Sequence, residues 1–170
     1  MSSLRLYIYY LLTLLMPATR LFHVKRVLLR WAGAKVGKNV RIVSSARFHL
    51  NGKLEIGNNT WIGHEVLIVG GDADVLIGKD VDIAPRVNLI TGTHKPFTIT
   101  GKAAGEGYSL PITIEDGAWI GAASTILGGV TLGEQSLIAA GALVRNSVEN
   151  AQMVGGVPAV GIDAKIRVKE

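Results

Sequence analysis

His94 is the residue of this chain best placed to do chemistry. It stands in Thr91-Gly92-Thr93-His94-Lys95-Pro96, where a regular sequence pattern breaks off and a loop begins. A histidine at the root of a long loop on a rigid scaffold is positioned for function. Its imidazole titrates close to neutral pH and can take a proton from a hydroxyl. The alternative is a loop histidine that hydrogen-bonds only its own backbone. Asp72 ends a Gly70-Gly71-Asp72 corner and has its own reason to protrude, with a solvated turn aspartate as the alternative. The remaining histidines are His23, His49 and His64, and there is no cysteine, which excludes disulfides and thiolate chemistry. His64 and His94 are far apart in sequence and no closely spaced histidine pair exists, so no metal site is expected.

The scaffold that must hold these residues is written in a period of six. Ile114, Ile120, Ile126, Leu132, Ile138 and Val144 follow one another at that spacing. Four residues after each comes a small or β-branched side chain: Ala118, Ser124, Val130, Ser136, Ala142 and Val148. Six matches neither a helix nor a simple strand alternation. It describes one unit stacked on itself, with a core that is continuous only between neighbours. Three hexads make one triangular coil of a parallel β-helix, aliphatic side chain inward and small residue at the corner. Ile56, Ile62 and Ile68, then Ile77, Ile83 and Leu89, keep the same register. Val36 and Ile42 begin it before a less regular stretch. The step from Ile68 to Ile77 implies a three-residue bulge, and the step from Leu89 to Ile114 an excursion over about residues 92–110.

The 170 residues, 48% hydrophobic, suit a single domain, and 21 glycines suit a chain made of corners. The net charge of +5 would allow a polyanionic partner. No nucleic-acid reader motif or interleaved aromatics accompany it, so no nucleic-acid partner is expected. Arg5, Arg20, Lys25, Arg26, Arg30, Lys35 and Lys38 instead gather at the N-terminus without an acidic residue among them. There Leu6–Met16 is apolar but too short to span a bilayer, and Pro17 interrupts it. Residues 20–31 carry Leu21, Val24, Leu28 and Trp31 on one face and His23, Arg26 and Arg30 on another. Three roles are open: a cap on the open end of the β-helix, an interfacial membrane anchor, or a signal peptide without a convincing cleavage site. The organisation expected is a helical segment over 1–34, β-helix over 35–158 and a tail over 159–170.

Thr91-Gly92-Thr93-His94 before a loop, the Ser109-Leu-Pro-Ile-Thr-Ile stretch leading to Trp119-Ile120-Gly121, and Gly155-Gly-Val-Pro-Ala159 together resemble the hexapeptide-repeat acyltransferases. The pattern is like that of galactoside and maltose O-acetyltransferases and of enzymes that O-acetylate capsule or exopolysaccharide sugars. The resemblance covers about residues 35–160. It implies an all-β fold, a left-handed parallel β-helix of hexapeptide repeats, in a homotrimer with active sites between subunits and acetyl-CoA as acyl donor. His94 matches the family's general base, and Trp119 the tryptophan near the active site. Ala122 matches the position whose backbone N–H faces the thioester carbonyl, and Asp72 the aspartate that holds acceptor hydroxyls. His64 falls where the galactoside and maltose enzymes carry an asparagine, so it is a candidate acceptor contact. Val160 stands where relatives carry a cation for the CoA phosphates, which leaves Arg145 and Lys165 as substitutes. The short apolar, basic N-terminus suits a lipid-linked sugar acceptor, a peripheral membrane contact and a cytoplasmic protein at the inner face of the cell membrane. The expected function is O-acetylation of a cell-surface polysaccharide unit. N-acylation of an amino sugar, a non-catalytic structural β-helix and a γ-class carbonic anhydrase-like protein are the alternatives.

Overall fold

The structure is a computed structural model and describes residues 1–96 and 101–162. Two helices, α1 (Ser3–Leu14) and α2 (Phe22–Trp31), precede a left-handed parallel β-helix. Its first coil is β1 (Lys35–Val36), β2 (Arg41–Ile42) and β3 (Arg47–His49); its second is β4 (Leu54–Ile56), β5 (Trp61–Ile62) and β6 (Leu67–Val69). The third coil is β7 (Val75–Ile77), β8 (Asp82–Ile83) and β9 (Asn88–Ile90). A hairpin of β10 (Gly92–Pro96) and β11 (Ala104–Ser109) then leaves the coil. The fourth coil is β12 (Ile112–Ile114), β13 (Trp119–Ile120) and β14 (Thr125–Leu127), and the fifth is β15 (Thr131–Leu132), β16 (Leu137–Ile138) and β17 (Leu143–Val144). β18 (Met153–Gly155) and β19 (Val160–Gly161) close the stack.

Three sheets form the faces of the prism. β1-β4-β7-β12-β15 make the first face, β2-β5-β8-β13-β16-β18-β19 the second and β3-β6-β9-β14-β17 the third. The inward positions are the aliphatic residues of the hexads: Ile42, Ile62, Ile83, Ile120 and Ile138 are all sealed from solvent. Their corner partners Thr60, Ala118, Ser124 and Ser136 are buried too, because only a small side chain fits beside the turning backbone. Successive coils leave no room for a Cβ at some corners: one built on Gly57 would lie 2.4 Å from the carbonyl carbon of Gly78. Other corners need a left-handed residue. Asn39, Asn59 and Asp80 supply it between the first two faces, and their side chains join in a ladder, with Asn59 Nδ2 donating to Asp80 Oδ1 at 2.8 Å.

Every departure from the period falls on one corner, between the third face and the first. Val36 pairs with Ile56, Ile56 with Ile77, Ile77 with Ile114 and Ile114 with Leu132. A strict coil of three hexads would advance 18 residues, as the last pair does; the others carry two, three and nineteen extra residues. All of these lie after β3, β6 or β9. On the fifth coil the same corner is shortened, so that Val148 bridges to Leu132 on the first face.

Two sequence expectations are corrected. The irregular stretch after Ile42 is a regular coil whose third inward residue is Phe48, an aromatic side chain at the expected spacing. The two faces of α2 are not segregated between core and solvent: Leu28 packs against the core, and His23 and Arg30 are exposed. Lys25 and Leu29 point into the protein, whereas Leu21, Val24, Val27 and Trp31 are exposed. The guanidinium groups of Arg26 and Arg30 reach over to carbonyls at the open edge of the first coil. Arg30 donates to Val36 O (2.8 Å) and Gly37 O (2.9 Å), and Arg26 to Val40 O (2.9 Å). Leu6, Tyr9 and Leu29 join Phe48 in the core, so the helices cap the prism. Tyr10 completes the cap: its hydroxyl donates to Phe48 O and accepts from Phe48 N–H at 2.7 Å.

Candidate active site

The corner that breaks the period gathers the candidate chemistry. β10 and β11 pair antiparallel, Gly92 with Ser109, Thr93 with Tyr108 and His94 with Gly107. Leu110 N–H donates to Thr91 O at 2.9 Å and ties the hairpin to the coil at its base. His94 is therefore on a paired strand rather than in a loose loop. Its Nδ1 lies 2.8 Å from the carbonyl oxygen of Gly105. A carbonyl only accepts, so Nδ1 carries the proton and Nε2 presents its lone pair. This backbone acceptor orients the ring, and no side-chain pattern in the sequence marks it.

Asp72 shares the cleft with His94. The cavity measures about 330 Å³ and is lined by Gly71, Asp72, Thr93, His94, Tyr108 and Ser109 among others. The bulge that carries Asp72 is fastened by Ser109, whose hydroxyl accepts from Ala73 N–H at 3.1 Å. Asn51, one coil below, donates from Nδ2 to Asp72 Oδ1 at 3.1 Å. That bond leaves the other carboxylate oxygen open to an acceptor hydroxyl. Asn51 and Ser109 lay outside the sequence reading. Asn51 becomes findable once the first inserted corner is recognised, because it stacks directly under the Gly71-Asp72 bulge.

The other candidates lie elsewhere on the prism. His64 and Ala122 occupy the same stacked position on the corner between the second and third faces, with Pro85 on the intervening coil. Ala122 O accepts from Gly141 N–H at 2.8 Å, but Ala122 N–H donates to no described group. Trp119 opens β13 on the second face and is 53% exposed. Arg145 is exposed on the His94 corner, following β17. Lys165 lies outside the described residues. A single chain thus brings His94 and Asp72 together and keeps Ala122, His64 and Trp119 apart from them. Among the described residues, no three His, Cys, Asp or Glu side chains gather as a metal site would require.

Residues 111–146 match the family model described as bacterial transferase hexapeptide, six repeats. The galactoside O-acetyltransferase of Escherichia coli K12 is 37% identical over 125 residues, which are 74% of this chain and 61% of that protein. An E. coli K12 protein provisionally named as the colanic acid biosynthesis acetyltransferase WcaF is 30% identical over 154 residues, 88% of this chain and 79% of that one. A crystal structure of a galactoside acetyltransferase in complex with coenzyme A superimposes with a TM-score of 0.77 at 29% identity, over 94% of this chain and 78% of that one. The chain spans about half the length of the curated relatives it matches first, 52%, 61% and 42%. The likeness to the colanic acid protein nonetheless extends over 88% of this chain and 79% of that protein, and on that extent the chain belongs to the hexapeptide-repeat acyltransferase family.

Proposed function

We propose that this chain transfers an acetyl group from acetyl-CoA to a sugar hydroxyl in the assembly of a cell-surface polysaccharide. The observation that carries the reading is the His94 tautomer, with Nδ1 held by Gly105 O and Nε2 free as a base. His94 Nε2 takes the proton of the acceptor hydroxyl as its oxygen attacks the thioester carbonyl. The tetrahedral oxyanion is met by a backbone N–H, the role assigned to Ala122. Collapse breaks the C–S bond, and the CoA thiolate recovers the proton from His94. Asp72 accepts hydrogen bonds from neighbouring acceptor hydroxyls.

Because His94 and Ala122 occupy different corners, the two meet only where one chain packs against another. A closed ring of three parallel prisms brings each such pair of corners together, which supports a homotrimer with clefts between subunits. In that arrangement His64 and Trp119 reach the acceptor from the neighbouring subunit. Arg145, exposed on the His94 corner, is assigned to the CoA phosphates, and Lys165 is assigned the same role from the sequence. The relatives named for galactoside and colanic acid support a sugar acceptor of the polysaccharide type. The outward apolar faces of α1 and α2 support a lipid-linked acceptor and docking on the inner face of the cell membrane.

Release of the CoA thiol tests the reaction directly. The chain has no cysteine, so a thiol-reactive dye reports only the product. Acceptor-dependent thiol release is expected with acetyl-CoA and a panel of methyl hexopyranosides and disaccharides. No release above hydrolysis with any of them would overturn the reading.

A further inference from the structure

The His94 corner continues past Asp72 into a second cavity that the reaction does not use. This cavity measures about 350 Å³ and lies between α1 and the first coil, lined by Ser3, Tyr7, Tyr10, His49, Leu50 and Asn51 among others. It is coupled to the reaction cleft through Asn51, which lines the cavity and holds Asp72 by its side-chain amide at 3.1 Å. Along this one corner the order is therefore fixed. The aromatic cavity stands on the first coil, Asp72 on the second, His94 on the third and Arg145 on the fifth.

We infer that this cavity is a distal acceptor subsite that takes the second sugar unit of an oligosaccharide acceptor. The inference rests on the acetyl-transfer reading and names the acceptor's class. If the donor approaches His94 from the Arg145 side, an acceptor extended along this corner leaves Asp72 toward the first coil. One coil advances about 4.8 Å, close to the step of one hexose along a chain. The lining suits a sugar ring, which offers an apolar C–H face and a polar rim. Tyr10 is fixed as a platform because its hydroxyl is bonded to both backbone groups of Phe48. The His49 ring stands 5.3 Å from the Tyr10 ring. Tyr7 is 59% exposed and presents its ring at the rim. Asn51 Oδ1 bonds to no described group and can accept from a sugar hydroxyl. Aromatic walls with a few placed polar groups are what a small-molecule subsite requires.

The test compares methyl hexopyranosides with the disaccharides that extend them, in the full-length protein with acetyl-CoA. Disaccharides are expected to show about tenfold higher kcat/KM, gained in KM, as a subsite contributing about 1.4 kcal/mol would give. Tyr7→Ala should bring disaccharides down to the monosaccharide value and leave the monosaccharide rate within twofold, while Tyr7→Phe keeps the preference. Saturation-transfer NMR with the disaccharides and CoA gives a second readout that needs no turnover, and Tyr7→Ala should remove the contact to the second ring. Equal kcat/KM for the two acceptor lengths, or a preference that survives Tyr7→Ala, would overturn the subsite. Disaccharide binding that depends on Tyr7 without acetyl transfer would keep the subsite and overturn the reaction. No detectable disaccharide binding would overturn the subsite alone if monosaccharides are still acetylated.

Discussion

At the scale of single residues, the proposed chemistry rests on two backbone groups and one ring. Gly105 O sets the tautomer of His94, so the imidazole can act as a base only through Nε2. His94→Ala should leave the fold and CoA binding intact and lower acetyl transfer by about 10²–10⁴-fold, the usual contribution of a general base. His94→Asn should behave alike, since it keeps size and loses basicity; transfer within threefold of the parent would remove His94 from the mechanism. The Ala122 assignment has a sharper check. The stacked position one coil below is Pro85, so this corner accepts a proline backbone. Ala122→Pro therefore deletes the N–H with little disturbance of the fold. Thiol release should fall by about 10²–10³-fold at unchanged thermal midpoint, the cost of losing one oxyanion donor. Unchanged turnover would place the oxyanion elsewhere. His94 and Asp72 were legible because each stands where the period breaks. Gly105 was not, because a carbonyl acceptor carries no residue identity, and neither was Asn51, whose partner lies one coil away.

At the scale of elements, burial of a cation distinguishes the cap from the coils. Lys25 is fully buried, and its ammonium donates to Ala18 O at 2.7 Å and Pro17 O at 3.1 Å. Loss of hydration holds its pKa below the ordinary lysine value of 10.5. The folded state thus binds that proton less tightly than the unfolded chain does, and stability rises with pH up to the ordinary value. Relative to Lys25→Met, the parent should gain thermal midpoint as the pH rises through the alkaline range toward the ordinary lysine value of 10.5, measured by circular dichroism. A constant difference across that range would show that Lys25 keeps an ordinary pKa. The coils themselves were legible down to register, since Ile56 to Ile68 and Ile114 to Val144 are the observed inward positions. The first coil was obscured because Phe48 fills an aliphatic slot. The orientation of α2 could not be read from its amphipathic pattern, since that pattern does not reveal that the coil edge offers carbonyls to Arg26 and Arg30. Those acceptors hold the guanidinium groups of the two arginines against the coil edge.

At the scale of the whole molecule, the roles proposed for His94 and Ala122, on separate corners of one chain, would make assembly a condition of activity. Light scattering at micromolar concentration should give the mass of three chains, and a monomer that still turns over would overturn the shared-cleft geometry. The cap sets which side chains the chain would offer to a membrane. Leu4, Leu11 and Leu15 on or just after α1, with Leu21, Val24, Val27 and Trp31 around α2, leave an apolar surface facing away from the prism. Arg20 and Lys38 are exposed, and no acidic residue occurs in the first 38 positions. Among the described residues no helix is long and apolar enough to cross a bilayer. The combination of apolar contact and uncompensated positive charge suits in-plane docking on anionic lipid, and three copies on one assembly multiply the weak affinity of each. Full-length protein should float with vesicles containing phosphatidylglycerol at low salt. It should bind phosphatidylcholine vesicles much less and be partly released by salt, because part of the attraction is screened. Leu11→Glu with Leu15→Glu replaces exposed side chains only, so it should abolish flotation while the trimer and acetyl transfer to a soluble sugar persist. Protein that stays in the soluble fraction with anionic vesicles would leave the two helices with the single task of closing the open end of the coil.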